Sequence, residues 1–367
     1  MPNTMNTEAL PATSVDVNIR QSTPMQITST PTLYQPIGTM FNTTIAGVCI
    51  LPQCGIVQVS GADASAFLHS QLTNDIKSLP SDHARLAGYC TPKGRLMASM
   101  LVWKAHETLF LQLPIELLSA FQKRLHLFIM RSKVTLSNVT ETTPILGIIG
   151  TSVAAQLSPW FPQLPDVPYQ FVSTAAGTLL RVADALGIPR YQWIATTEQA
   201  ATELRIAMRD FPTLSPAQWD WTEIRAGIPH ITQATQEKFV PQMVNYDLIN
   251  AVNFKKGCYP GQEIVARSQY LGSHKRRMVL ARIDTEHVKA GDELIASNDP
   301  DQPCGMVVNA QATGANQSDC LIVIKTAITD AFLPSISSER PPAYTVHLAS
   351  GEICQWQSLP YSVVVDQ

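Results

Sequence analysis

One cysteine of this chain stands among residues that could make it react. In Asn253-Phe254-Lys255-Lys256-Gly257-Cys258-Tyr259-Pro260-Gly261-Gln262-Glu263 a thiol sits among two lysines, two glycines and a carboxamide–carboxylate pair. A thiol reacts as the thiolate, which nearby cations and the positive end of a helix favour. Lys255 and Lys256 lie just upstream, and residues 262–270 are predicted to form a helix opened by the Pro260-Gly261 turn. Glu263, in the first turn of that helix, helps the helix and works against the thiolate. On these neighbours Cys258 is either a small residue fitted into a tight turn or a partly exposed thiol. In the second case it serves as a nucleophile, a redox centre or a transient metal or sulfur ligand.

A second constellation is Trp219 and Trp221 ahead of Glu223-Ile224-Arg225-Ala226-Gly227-Ile228-Pro229, whose Gly and Pro end an element abruptly. Two tryptophans so close are either core or a stacking wall for a flat heterocycle. An aromatic face beside Arg or Lys suits a pterin ring and the anionic tail of a folate. His230 follows the turn without a paired carboxylate or second histidine in sequence, and reads as a loop side chain. The phosphate-loop, dinucleotide, zincin and serine-hydrolase signatures are missing. Cys49, Cys54, Cys304, Cys320 and Cys354 lie in apolar, strand-like contexts and read as buried thiols. An iron–sulfur cluster needs about four thiolates together; no local set supplies them, and no metal site is expected.

These residues need a frame. At 367 residues the chain suggests two or three domains. Its 45% hydrophobic and 15% charged content excludes a disordered or membrane-spanning class, and no apolar run approaches the roughly 20 residues of a spanning helix. A formal charge of -3 gives no global attraction to nucleic acid, so no direct nucleic-acid contact is expected; only Lys275-Arg276-Arg277, after His274, forms a local basic patch. Residues 1–38, rich in Thr, Pro, Ser and Asn, read as a disordered leader and not as a secretory signal. The seven scattered cysteines, an odd number, fit reduced thiols in the cytoplasm.

Along the chain, residues 56–59 are predicted as a strand running into a helix from Ala64 through Leu72, and residues 85–90, 96–103 and 109–113 as strands. Pro114 suits the first position of a helix whose core stripe is Leu118, Phe121, Leu125, Phe128 and Ile129. Residues 145–149 and 178–182 are further strands, with a helix over Ala200, Leu204 and Met208. The elements mix without strict alternation, which favours α+β over a doubly wound sheet. After residue 275, short strands at 279–283, 306–308, 321–324 and 344–348 read as a β-barrel or sandwich. The resulting division is a leader over 1–38, α+β regions over 39–140 and 141–250 that can intermix, a cysteine segment over 251–274 and a C-terminal β-barrel over 275–367.

In these residues the sequence resembles the YgfZ family, folate-binding relatives of the glycine-cleavage T-protein, an aminomethyltransferase. The match is carried by Lys256-Gly257-Cys258-Tyr259-Pro260-Gly261-Gln262-Glu263 and the following Ile264 to Arg267. Gly61-Ala62-Asp63, Gln71 to Asp75, Pro92 to Arg95, Ala226 to Pro229, Phe239 to Gln242 and Leu359 to Ser362 follow in family order. The resemblance implies a T-protein-like fold of three domains around a central channel for tetrahydrofolate, with a C-terminal β-barrel. It implies a role in assembling or repairing iron–sulfur clusters in client enzymes, including radical enzymes that modify tRNA. Folate and iron–sulfur client or assembly proteins are then the partners. Cys258 would be the functional thiol, and Trp219, Lys255, Lys256 and Arg225 would hold the cofactor, with Gly257, Tyr259, Gly261, Gln262, Glu263 and Arg267 completing the motif.

Three departures bear on chemistry. A second folate-contacting tryptophan of the family falls at about Cys54, the T-protein's paired aspartates fall on Ala98 and Ser99, and the acid before its Ala-Gly is Arg225 here. Aminomethyl transfer needs a carboxylate at a folate nitrogen, so that activity is not expected. The alternatives are a folate-dependent transferase or demethylase that uses another base, and a non-catalytic interaction module.

Overall fold

The computed structural model describes residues 45–105, 107–271, 275–328 and 344–363; the expected leader over 1–38 and His274 lie outside them. The first elements in order are β1 (Gly47–Ile50), β2 (Cys54–Ser60), helix α1 (Ala64–Gln71), β3 (Arg85–Cys90), β4 (Leu96–Ala105), β5 (Thr108–Pro114), helix α2 (Ile115–Ile129) and β6 (Thr135–Asn138). Next come β7 (Ile145–Ile149), the short α3 (Thr151–Ala154), β8 (Phe171–Thr174), β9 (Gly177–Ala185), β10 (Ile188–Ile194), α4 (Glu198–Ala207), α5 (Pro216–Arg225) and α6 (Gln262–Leu271). The C-terminal strands are β11 (Arg276–Ile283), β12 (Glu293–Ala296), β13 (Asp299–Gly314), β14 (Gln317–Lys325), β15 (Val346–Leu348) and β16 (Cys354–Gln357).

Among the described residues the strands form three antiparallel sheets. One runs β1-β7-β10-β9-β8, the second β3-β4-β5-β2-β6, and the third β15-β12-β13-β14-β11-β16. The third is a curled half-barrel, and a bridge between His347 and Ile353 ties its edge strands together. The fold is α+β. Strand β1 leaves the second sheet's part of the chain to pair with β7, Gly47 opposite Ile149.

Alternation along two strands decides what faces the middle of the molecule. In β10, Tyr191 and Trp193 pack into a core with Leu204 of α4, while Arg190 and Gln192 point the other way. In β5, Leu109, Leu111 and Leu113 enter the core beneath α2, leaving Phe110 and Gln112 on the opposite side. Pro114 closes β5 and precedes α2 instead of occupying its first turn, with extended backbone at ψ 128°. The stripe of α2 is buried at Leu118, Phe121 and Leu125, whereas Phe128 is 43% exposed. Burial therefore stops a turn short of the helix end.

Helix α5 has a complete capping box: Ser215 accepts from the Gln218 N–H, the Gln218 side chain returns the bond, and Pro216 fills the first position. Its inner face is tied to the half-barrel through Asp319, which is wholly buried. Asp319 accepts from Trp221 Nε1 at 2.8 Å and from Arg282 Nε at 2.7 Å, and Arg225 Nη1 lies 3.5 Å away. The basic patch expected at 275–277 is largely consumed structurally. Arg277 makes a two-pronged pair with Asp247 at 2.6 and 2.8 Å, and Arg276 donates to the Cys304 carbonyl. Among the described residues no helix is long and apolar enough to cross a membrane.

Candidate functional site

All three sheets and α5 meet around a cavity of about 350 Å³, within the ~300–1,000 Å³ range of small-molecule sites. Trp219, Asp220 and Glu223 of α5, Gln192 of β10 and Gln112 of β5 line it. Trp219 and Glu223 are four residues apart and Asp220 and Glu223 three, so one helical face presents all of them.

Trp219 is seated by the absence of a side chain opposite it. A Cβ on Gly147 of β7 would fall 2.5 Å from the indole ring, and the Arg190 guanidinium lies 5.0 Å from the ring centroid. With 2% of its surface exposed, the ring is a wall of the cavity and not an open stacking platform. Arg190, itself fully buried, also donates from Nη1 to Thr222 Oγ1 and to Glu223 Oε1, both at 2.9 Å, and from Nε to the Ala183 carbonyl. Burial alone would push the Glu223 carboxyl up, but Arg190 and His230 outweigh it and hold it down at about 2. Glu223 is therefore a fixed anion. His230 Nε2 lies 3.4 Å from Glu223 Oε2. Desolvation opposes charge on the imidazole, yet the Glu223 and Asp220 carboxylates hold it above its ordinary 6.5.

The rest of the wall is short of donors. The side-chain oxygens of Gln53, Gln112 and Gln192 are buried without a hydrogen-bond partner, and all three residues line the cavity. A buried unmet acceptor costs about 1–3 kcal/mol, so these three carboxamides are costly points in the wall of one cavity. Ser99 of β4 also lines the cavity, but its Oγ accepts from the Ile231 N–H at 2.8 Å; it secures the loop after α5. Ala98 is buried.

The residues expected from sequence at one cofactor lie in separate places. Trp219 is at the cavity. Arg225, two positions beyond Glu223 on the helix, faces Asp319 of the half-barrel instead. A strand would have put Arg225 and Glu223 on one face; a helix turns them about 200° apart. Lys256 is buried, and its ammonium donates to the carbonyls of His69 and Leu72 at the C-terminal end of α1. It caps a helix, as a cation there should. It also lies 4.6 Å from the Tyr259 ring centroid, and burial, opposed by Asp75 and Cys258, lowers its pKa to about 8. Lys255 is exposed and lines a second, more open groove with Phe254 and Tyr270.

Cys258 is exposed and absent from the cavity wall. The six other cysteines are not exposed, and burial pushes Cys49, Cys54 and Cys90 up to about 12. Among the described residues no cluster of three or more His, Cys, Asp or Glu side chains could hold a metal. Helix α6 begins at Gln262, with Glu263 in its first turn. Gly261 lies at φ +81°, and a Cβ there would meet the Thr91 carbonyl at 2.3 Å and Gly94 Cα at 2.6 Å. The two glycine turns, one from each motif, thus touch. Exposed Arg267 and Glu263 and half-buried Gln262 belong to α6, Tyr259 is buried, and His69 Nε2 faces Gly257.

The other motif residues act as ties that fix this segment. Thr73 Oγ1 donates to the Ala251 carbonyl and Asn74 to the carbonyls of Leu86 and Asn250, each at 2.7 Å. Gln242 holds the Val265 carbonyl of α6 at 2.7 Å, and Tyr361 donates to the Gly227 carbonyl at 2.8 Å. Gln53, Gln112, Arg190, Gln192 and Asp220 escaped sequence reasoning. The polar parity of β10, with Arg190 and Gln192 between apolar residues, was the available signal.

No family model matches the chain. It is 32% identical over 248 residues to the tRNA-modifying protein YgfZ of Colwellia psychrerythraea, covering 67% of this chain and 74% of that one. It is 32% identical to the same-named protein of Photorhabdus laumondii, over 66% of this chain and 73% of the relative. The tRNA-modifying protein YgfZ of Escherichia coli is 28% identical over 85% of this chain and 92% of its own. Among solved structures, glycine cleavage system aminomethyltransferase T from Bartonella henselae aligns with a TM-score of 0.67. That alignment covers 87% of this chain and 88% of that one at 15% identity, a likeness of fold.

Proposed function

The chain belongs to the YgfZ family, and on that premise we propose that it binds tetrahydrofolate and assists the assembly or repair of iron–sulfur clusters in client enzymes, among them radical enzymes that modify tRNA. The observation that carries the ligand is the cavity of about 350 Å³ itself, walled by Trp219 and by the carboxamide side chains of Gln53, Gln112 and Gln192 beside the Glu223 anion. A reduced pterin offers a complementary row of N–H donors on its amino group and ring nitrogens. Trp219 supplies the apolar wall against which the ring lies. Tetrahydrofolate supplies a one-carbon carrier when bound; the residues here bind and orient it.

Cys258 is the functional thiol of this reading. Its exposure offers it to a client or assembly protein at the surface, away from the folate cavity. The ties from Thr73, Asn74 and Gln242 hold its segment in place, and Lys256 anchors that segment to α1. The names of the relatives support tRNA modification as the downstream process, reached through client enzymes in the cytoplasm and not through direct contact with RNA.

The test is complementation. In a strain lacking this gene, the tRNA modification made by a radical iron–sulfur enzyme should fall and return with the wild-type chain but not with Cys258→Ala. Full restoration by Cys258→Ala would remove the thiol from the function.

A further inference from the structure

The T-protein's aspartate pair is replaced by Ala98 and Ser99, yet the cavity has not lost every carboxylate that could move a proton. Asp220 of α5 lines it one helical turn before Glu223. The two acids differ in how their oxygens are used. Glu223 Oε1 takes the Arg190 guanidinium and Oε2 faces His230 Nε2, so both are committed. Asp220 Oδ1 accepts from Gln53 Nε2 at 2.7 Å, and among the described residues no donor bonds Oδ2.

We propose that Asp220 is the proton-exchanging group of this cavity. Its Oδ2 takes a proton from a protonated amine nitrogen of a bound reduced pterin and returns it, while Glu223 stays a fixed anion. The inference rests on the folate reading above. In the forward step an N–H bond of the ligand breaks, its electron pair stays on nitrogen, and an O–H bond forms on Asp220. No electrons change hands and no further reactant is needed.

Of the other groups at the wall, Glu116 is exposed and its Oε1 takes the Gln233 N–H at 2.7 Å. Ser99 Oγ is occupied by the Ile231 N–H, and burial keeps the Cys54 thiol protonated, up at about 12. His230 is drawn to Glu223. Asp220, by contrast, is held above the usual aspartate value, first by burial and then by the Glu223 charge, against the Gln53 hydrogen bond and His230. Two acids on one helical face, one driven up and one down, divide into a proton carrier and a fixed anion. The groups whose titration or charge bears on Asp220 are Glu223, His230, Cys49 and Cys54, together with the Gln53 donor.

The experiment is calorimetry of tetrahydrofolate binding from pH 4.5 to 7.5, in buffers of differing ionisation heat. Wild type, Asp220→Asn and Gln53→Leu are compared, with folding verified by circular dichroism. Wild type should exchange protons on binding, with an affinity that changes by about tenfold for each unit by which the ligand moves the carboxyl. Asp220→Asn should flatten that dependence to less than about twofold, and Gln53→Leu, which removes the opposing hydrogen bond, should shift its midpoint upward. The same proton count and pH profile in Asp220→Asn as in wild type would overturn the assignment. Should Asp220→Asn misfold, an unmoved midpoint in Gln53→Leu overturns it instead. Wild type that takes up no tetrahydrofolate at any pH refutes the folate reading itself and the inference with it.

Discussion

Replacing Glu223 with Gln keeps the shape of the side chain and removes the charge on which Arg190 depends. The Glu223 carboxyl is drawn from its ordinary 4.5 down to about 2. Each tenfold in proton affinity is worth ~1.4 kcal/mol, so the charged form stabilises the fold by roughly 3 kcal/mol at neutral pH. A buried ion pair that loses one partner costs ~3–5 kcal/mol, which agrees. Because the folded value lies below the unfolded one, this contribution is fully present above pH 4.5. It disappears as pH falls through about 2. Urea unfolding followed by tryptophan fluorescence at pH 7, 5, 3.5 and 2.5 should place Glu223→Gln ~3 kcal/mol below wild type at pH 7. The two curves should converge toward the acid end. A constant gap across the whole range, or a gap under about 1 kcal/mol at pH 7, would mean that Glu223 is not the anion that Arg190 holds.

Iodoacetamide on the native protein should label Cys258 alone by mass spectrometry, since the other cysteines are not exposed; labelling of Cys54 at a similar rate would show the cavity open to reagent. Asp319→Asn strips charge from a buried hub that Arg282 and Trp221 both use, and unfolding should show a loss of ~3–5 kcal/mol. Lys256→Met should cost ~1–2 kcal/mol by uncapping α1 while leaving tetrahydrofolate affinity within about twofold in calorimetry. Gly147→Val must push the Trp219 ring out of its seat, where the added Cβ alone would come within 2.5 Å. Affinity for tetrahydrofolate should fall by more than about tenfold, ~1.4 kcal/mol.

Much of the frame was legible in the sequence because burial there follows simple periods. The strands at residues 85–90 and 145–149 emerge with those bounds, and Gln262 opens α6 as the Pro260-Gly261 turn indicates. Helix α5 was not legible as a helix. Trp219-Asp220-Trp221 reads as alternation, and only the capping box of Ser215 and Gln218 with Pro216 carries the other signal. The resemblance put Arg225 at the cofactor, and the helix instead turns it toward Asp319 and leaves Glu223 at the cavity. Lys256 looks like an anion ligand beside Cys258, but its target, the end of α1, lies almost two hundred residues away in sequence. Gln53, Gln112 and Gln192 have no mark of their own; they matter because two strands and a turn, distant in sequence, deliver their side chains to one cavity.

A titration of tetrahydrofolate into wild type and Gln192→Leu would weigh the ligand reading against the bare fold. Gln192 is 4% exposed with its carbonyl oxygen unmet, so Leu at that position removes an acceptor and no internal hydrogen bond of that oxygen. The expected result is one-to-one binding by wild type, an affinity lower by about five- to tenfold in Gln192→Leu, and no loss of stability in the variant. Equal affinity in the two proteins, or no binding by wild type, would contradict the assignment of this cavity to a reduced folate.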